Sequence, residues 1–216
     1  MPDSPPAPPQ RSHARSNRAR ILATAREELG RNPEATLDEI ARAAGVVRRT
    51  LYGHFPNRKV LIEALALEAQ ESLREAFTAA RRPQAGPAEA LTRMSLAASA
   101  VGDRYRMLIS LGRRDLGEEG IRAALAPARA EATTILENGQ REGVFADHLP
   151  APILALALES LTLSLVESHS ESGWSDPRGV AAVTATLIAA GVAPAAAREC
   201  VQTVLRDEKG EERSTP

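Results

Sequence analysis

A short segment of the chain, Val46 to Lys59, combines basic, hydroxyl and aromatic side chains in a pattern suited to binding DNA. Arginine donates two parallel hydrogen bonds to the edge of guanine in the major groove, so Arg48 and Arg49 are candidate base contacts. Contacts to phosphates position a protein on DNA without reading its sequence. The side chains that we predict to contact phosphates are Thr50, Tyr52, His54, Arg58 and Lys59.

Each of these side chains also has an ordinary alternative, because exposed arginines are usually solvated and tyrosines are usually partly buried. The distribution of charge supports the nucleic-acid reading. Residues 1–62 hold 11 Lys and Arg against 6 Asp and Glu, whereas the remainder holds 16 against 22. A basic head on an acidic body suits a protein that presents one end to an anion.

The elements around this segment predict a helix-turn-helix. Thr36 and Glu39 are spaced as a capping box, which starts a helix at Leu37. That helix stops at Gly45, a residue type that tolerates the left-handed conformation after a helix. A third short helix spans residues 47–54, with Val46 and Leu51 as its apolar anchors. Two short helices joined by a glycine turn and preceded by a supporting helix form this motif.

Residues 18–65 strongly resemble the DNA-binding domain of the TetR/AcrR family of transcriptional regulators. The resemblance is carried by Thr36-Leu37-Asp38-Glu39-Ile40-Ala41, Ala44-Gly45-Val46 and Thr50-Leu51-Tyr52-Gly53-His54-Phe55-Pro56-Asn57-Arg58. It implies base or near-base contacts by Arg48, Arg49 and Tyr52, and phosphate contacts by Thr50, His54 and Arg58. It also places Asp38 near the family's base-contacting position in the second helix. One departure is Val47, where many members have serine.

The fold class that we predict is all-α, with an N-terminal three-helix helix-turn-helix domain and a C-terminal helical ligand-binding and dimerisation domain. No alternation of polar and apolar residues persists long enough for a sheet. We expect helix breaks near Gly102 and over residues 111–120, among others. The predicted boundaries are a disordered arm over 1–15, the DNA-binding domain over 16–62, the helical domain over 63–206 and a disordered tail over 207–216. The basic stretch 11–20 either lies along DNA or is a solvated tail.

Two segments of the larger half predict an interface. Residues 151–166 and 180–191 are apolar on most sides, and a helix of this kind must be buried on most sides. The family resemblance implies that they form the four-helix bundle of a homodimer, which would bind a palindromic operator in double-stranded DNA. Burial of both helices in a monomeric core is the alternative.

The resemblance further implies that a small-molecule ligand binds among the middle helices and releases the protein from DNA. The candidate lining residues are Met94, Met107, Leu108, Leu136, Glu159, Thr162 and Trp174. Methionine and tryptophan at helical spacing are also typical of plain core. A ligand-independent regulator or activator is therefore a second hypothesis.

We predict no enzyme, no cofactor and no metal site. The sequence contains no phosphate-cradling glycine loop, no metal-ligand run and no nucleophile elbow, and its four histidines are dispersed. A helical enzyme with an incidental helix-turn-helix is the remote alternative. We also expect a cytoplasmic protein without membrane contact, because no uninterrupted apolar stretch reaches the ~18 residues of a spanning helix.

Overall fold

The computed structural model of the chain describes residues 9–171, 175, 176 and 178–214. Within these ranges the protein consists of nine α-helices and no strand, which confirms the all-α prediction. The helices are α1 (Pro9–Arg31), α2 (Leu37–Ala43), α3 (Arg48–His54), α4 (Arg58–Ala80), α5 (Pro87–Asp115), α6 (Gly117–Arg141), α7 (Ala151–Glu171), α8 (Val180–Ala189) and α9 (Pro194–Ser214).

The helices form two compact units. The first, called the head unit here, comprises Met1–Glu68 together with Met107–Ile121. The second, the body unit, comprises Ala69–Arg106 and Arg122–Pro216. The predicted boundary at residue 62 thus lies six residues before the end of the first segment of the head unit. The second segment of the head unit was not predicted.

The start of α2 is the predicted capping box. The Thr36 backbone N–H donates to Glu39 Oε2 at 2.8 Å, and the Glu39 N–H donates to Thr36 Oγ1 at 3.2 Å. The Thr36 hydroxyl also donates to Glu39 Oε2, at 2.8 Å, and the bonds from the Thr36 backbone N–H and hydroxyl lower the pKa of the Glu39 carboxyl. A lowered pKa in the folded chain means that this stabilisation is present above the ordinary pKa of glutamate and is lost as the pH falls through the folded value.

The turn after α2 is a Schellman motif. The N–H of Gly45 donates to the carbonyl of Arg42 at 3.1 Å, and that of Val46 donates to the carbonyl of Ala41 at 3.0 Å. Gly45 has a φ of 63°, in the left-handed region that an L side chain rarely adopts. The turn therefore sets the direction in which α3 leaves α2.

Replacing Gly45 with alanine is expected to lower the free energy of unfolding by about 1–2 kcal/mol, the cost of left-handed backbone for a residue with a Cβ. A Cβ at Gly45 would meet no atom within 4 Å, so the loss measures backbone strain alone. Denaturant unfolding of the full chain is the measurement. Gly53→Ala is the matched control, because Gly53 lies within α3 with an ordinary φ and open space around it. An equal loss in both variants would contradict the assignment.

Both ends of the chain are more helical than predicted. Helix α1 already includes Pro9, the first residue that the structure describes, whereas we expected the helix to start near Ser16. Helix α9 continues to Ser214, although we expected disorder from Asp207. Asp207 accepts a hydrogen bond at 3.1 Å from Arg93, a buried residue of α5, which ties this part of α9 to the body unit.

The predicted break at Gly102 is wrong. Gly102 lies inside α5, where glycine costs helix stability without ending the helix. The irregularity occurs instead at Tyr105, whose φ of −111° and ψ of 16° mark a kink between two helical segments. The break expected over residues 111–120 is confined to the junction between Asp115 and Gly117.

Helix α7 carries an apolar surface that the body unit leaves largely uncovered. Leu154, Ala155 and Leu158 pack into the body-unit core, whereas Ile153 and Leu156 are 52% and 41% exposed. Among the described residues it is the one helix long and apolar enough to cross a membrane by length and composition, over Ala151–Ser168, of which 22% is buried. A core or interface helix has the same composition, so this property alone assigns no membrane segment.

Candidate nucleic-acid interface

Helix α3 is held by apolar residues on its inner side. Leu51 and Phe55 are buried in the head-unit core, and Val46 packs against that core while remaining partly exposed. The core also contains Ile40 of α2 and Leu61 of α4. This confirms the predicted anchoring by Val46 and Leu51, and it gives α3 a defined orientation.

The outer side of α3 presents most of the predicted contact residues. The side chains of Arg48, Arg49 and Tyr52 are exposed, and Lys59 is exposed at the start of α4. Thr50 and His54 are partly exposed. The helix therefore displays two arginines, a tyrosine and a hydroxyl group on a rigid support.

A small cluster forms around Asp38 of α2. Arg48 Nη2 donates to Asp38 Oδ2, and the Tyr52 hydroxyl lies 3.5 Å from Asp38 Oδ1. The Arg48 side chain is 71% exposed, and a surface ion pair of this kind contributes only about 0–1 kcal/mol. Asp38 therefore orients Arg48 and Tyr52 without preventing either from turning toward another acceptor.

Two cationic side chains at this surface, Arg49 and Lys59, form no ion pair among the described residues. Within the part of the chain that the structure describes, the side chains of Arg49 and Lys59 have no hydrogen-bond or ion-pair partner in the protein. Their charges are compensated only by solvent, so an incoming polyanion can approach them without breaking an existing ion pair.

Arg58 has a different environment from the one expected of a phosphate contact. Its Nε donates to Asp115 Oδ2 at 3.2 Å, Nη1 to the carbonyl of Ala35 at 2.7 Å and Nη2 to the carbonyl of Pro33 at 2.5 Å. All three guanidinium nitrogens thus have partners within the head unit. The sequence resemblance carried no signal for this, because Asp115 is 57 residues away.

The segment Met107–Ile121 completes the head unit. Leu111 is buried in its core, and Leu116 packs against the same core. Arg114 forms an ion pair with Glu34, and the hydrogen bond from Arg114 lowers the pKa of the Glu34 carboxyl. Sequence reasoning missed these residues, since nothing local in the sequence links residues 107–121 to residues 33–58.

The candidate ligand residues do not lie together in one unit. Met107 and Leu108 pack against the head-unit core. In the body unit, Leu136 is fully buried, and Glu159 accepts hydrogen bonds from Arg129 at 3.0 and 2.8 Å. The remaining candidates are Met94, which is partly exposed, Thr162, whose hydroxyl donates to the carbonyl of Leu158, and Trp174, which lies outside the described residues.

One side of α8 is buried in the body unit. Ala182, Val183, Thr186 and Leu187 are buried, whereas Ile188 is exposed at 39%. Of the two apolar segments predicted to form an interface, α7 therefore offers more uncovered apolar surface than α8.

The basic stretch 11–20 lies within α1, and only part of it has described side chains. Side chains are described from Ser16 onward, and Arg18 and Arg20 are exposed there. The Arg18 guanidinium carbon lies 5.4 Å from the centre of the Phe55 ring. A contact between this stretch and DNA stays a prediction.

Known sequences are similar to the part of the chain that contains α2 and α3. Residues 21–65 match the sequence profile described as "Bacterial regulatory proteins, tetR family". The uncharacterized HTH-type transcriptional regulator TtgW of Pseudomonas putida is 38% identical over 69 residues. That match covers 31% of this chain and 52% of TtgW, so it spans about half the length of that relative.

Solved structures are similar over most of the chain. A bacterial regulatory protein in the tetR family from Rhodococcus is 27% identical, with a TM-score of 0.68 over 82% of this chain and 98% of the other. Two more distant proteins share the fold. SmeT, the repressor of the Stenotrophomonas maltophilia multidrug efflux pump SmeDEF, is 21% identical, with a TM-score of 0.63 over 80% of this chain and 89% of SmeT. RolR, solved with its ligand resorcinol, is 19% identical, with a TM-score of 0.58 over 88% of this chain and 95% of RolR.

Proposed function

Since the chain belongs to the tetR family of bacterial regulatory proteins, and is thus a DNA-binding transcriptional regulator, we propose that it is a cytoplasmic homodimeric repressor. It binds a palindromic operator through α3 of each protomer and is released when a small molecule binds the body unit. The observation that carries this proposal is the outer side of α3, where Arg48, Arg49 and Tyr52 are displayed from a helix anchored by buried Leu51.

The proposed contacts follow from how exposed each side chain is and from the hydrogen bonds that it already forms within the protein. Arg49 has no protein partner among the described residues and reads a base edge in the major groove, with Arg48 and Tyr52 beside it. The proposed phosphate contacts are Thr50, His54 and Lys59. Arg58 is left out of this set, because its guanidinium is held by Asp115 and two backbone carbonyls.

Dimerisation supplies the length of DNA that specific recognition needs. One seven-residue helix reads too few base pairs, whereas two copies about 34–36 Å apart read successive major grooves of a pseudo-palindrome. The exposed apolar side of α7 supports the assignment of the interface, since a contiguous uncovered apolar surface is typical of a protein contact.

Release by a ligand requires that the ligand bind the non-DNA-binding conformation more tightly than the DNA-binding one. The body-unit candidates are Met94, Leu136, Glu159, Thr162 and Trp174. The ion pair between Glu159 and Arg129 places two opposite charges at a partly buried position of the body unit, and a polar ligand group can compete for either of them. Met107 and Leu108 are dropped from the pocket, because they pack in the head unit.

The experiment that tests the proposal is selection of random duplex DNA by the purified protein at physiological salt, followed by sequencing. An enriched inverted repeat is the expected result. Binding without enrichment that vanishes as salt rises would contradict sequence-specific recognition, because it would reflect phosphate neutralisation alone. In vitro transcription from a promoter carrying the repeat then separates repression from activation.

Arg49→Ala is expected to weaken binding to the selected operator by about 1–3 kcal/mol, the range for losing one bidentate base contact. Arg48→Ala is expected to cost less than Arg49→Ala, since Arg48 already donates to Asp38 and loses that bond on reaching DNA. Gel-shift titration measures both. The control is Arg198→Ala, an exposed arginine of α9 in the body unit. Equal affinity of Arg49→Ala and Arg198→Ala would remove α3 as the reading element.

A further inference from the structure

Val47 displays an apolar side chain at the proposed DNA surface. It is 69% exposed, the highest fraction among the large apolar side chains of the described residues. Its neighbour Val46 packs against the head-unit core. Of the two valines in this turn, Val46 therefore faces the core and Val47 faces solvent. Arg48 and Arg49 follow immediately and are exposed as well.

The stability of α3 does not account for valine at this position. Val47 is the N-cap residue of α3, and its side chain makes no capping hydrogen bond. Serine, threonine, asparagine and aspartate are the favoured N-cap residues because they can accept such a bond, whereas valine is among the poorest. The side chain is too exposed to contribute to the core.

Backbone hydrogen bonds to α3 nevertheless fix the position of Val47. The Val47 carbonyl accepts hydrogen bonds from the N–H of Thr50 at 2.9 Å and of Leu51 at 3.3 Å, and Leu51 is fully buried. The branched Cβ of valine restricts χ1, so the two methyl groups have a defined direction. The result is a rigid apolar knob beside two cationic side chains.

In the major groove, the 5-methyl group of thymine is the apolar group that distinguishes one base edge from the others. We propose that Val47 contacts a thymine methyl in each half of the operator and thereby selects a T·A pair next to the bases contacted by Arg48 and Arg49. This inference rests on the proposed function, since it requires that the N-terminal end of α3 enter the major groove. Valine offers neither a donor nor an acceptor to any other base, so the contact discriminates by the methyl group alone.

The test uses the selected operator with 2′-deoxyuridine in place of one thymine at a time in both half-sites. This change removes the methyl group and leaves the Watson–Crick pairing intact. At one position per half-site, the natural chain is expected to bind the uracil operator about fourfold more weakly per half-site, the transfer free energy of one methyl-sized group. In Val47→Ala, the ratio of thymine to uracil affinity at that position is expected to fall to near one.

Val47→Ser is the second variant, because serine removes both γ-methyl groups and adds a hydroxyl that can cap α3. It is expected to raise the thermal midpoint while reducing the thymine preference, two effects that a purely structural role for Val47 would not separate. A natural chain indifferent to uracil at every position, or a Val47→Ala variant that keeps the full preference, would overturn the inference and leave the proposed function standing. Failure to select any operator would overturn both.

Discussion

Replacing Leu156 with glutamate is expected to make the protein monomeric and to weaken its binding to the operator about a thousandfold, near the low end of the ratio between specific and nonspecific DNA affinity. Leu156 and Ile153 lie on the exposed side of α7, which the body unit does not cover. In the proposed dimer this side packs against the partner. A carboxylate buried there without a counter-charge costs several kcal/mol, which is enough to dissociate the protomers.

Sedimentation equilibrium measures the change in mass, and gel-shift titration measures the change in affinity. Leu67→Glu is the matched control, since Leu67 is a leucine of α4 in the head unit that is 63% exposed. It is expected to leave both quantities unchanged. A natural chain that sediments as a monomer, or a Leu156→Glu variant that remains dimeric, would show that α7 is not the interface.

Replacing Arg58 with methionine is expected to lower the free energy of unfolding by about 3 kcal/mol. The change leaves the half-buried Asp115 carboxylate and the carbonyls of Ala35 and Pro33 without the donors that the guanidinium supplies. Arg58→Lys should recover only part of the loss, because an ammonium group cannot reach three acceptors in this fixed geometry. Denaturant unfolding of each variant, and of Asp115→Asn, is the measurement.

Lys59→Met is the control for Arg58→Met, because it is expected to change the salt dependence of DNA binding and not the stability. Lys59 is exposed and has no partner among the described residues, so its loss is expected to leave stability unchanged. As a phosphate contact, it should reduce the slope of log affinity against log salt by about one per subunit. If Arg58→Met reduced the salt slope without loss of stability, Arg58 would be a phosphate contact, as the family resemblance implied, rather than a structural residue.

The first half of the fold was readable because its signals are local. The capping box at Thr36 and Glu39 and the glycine turn at Gly45 depend on hydrogen bonds between residues at most five positions apart. Backbone preference and short-range hydrogen bonding therefore specify the helix-turn-helix directly. The same pattern placed the exposed arginines on the outer side of α3, while their contacts with DNA stay a prediction.

At two places, Gly102 and the end of α9, the local sequence disfavours a helix and the folded chain is nevertheless helical. Glycine lowers helix stability by only about 1 kcal/mol, so Gly102 did not end α5. The charged end of the chain is helical because Asp207 has a buried arginine of another helix to bind. Neither outcome follows from the residues near it in the sequence.

The sequence alone established that the chain is helical, that it carries a helix-turn-helix over residues 37–54 and which side chains of α3 face outward. Three-dimensional structure was needed to show that Arg58 binds Asp115 and that Met107 and Leu108 belong to the head unit. The physical reason is distance along the chain. Periodicity shows that a side chain is apolar or charged, whereas its partner more than 50 residues away depends on how the helices pack, which no local pattern encodes.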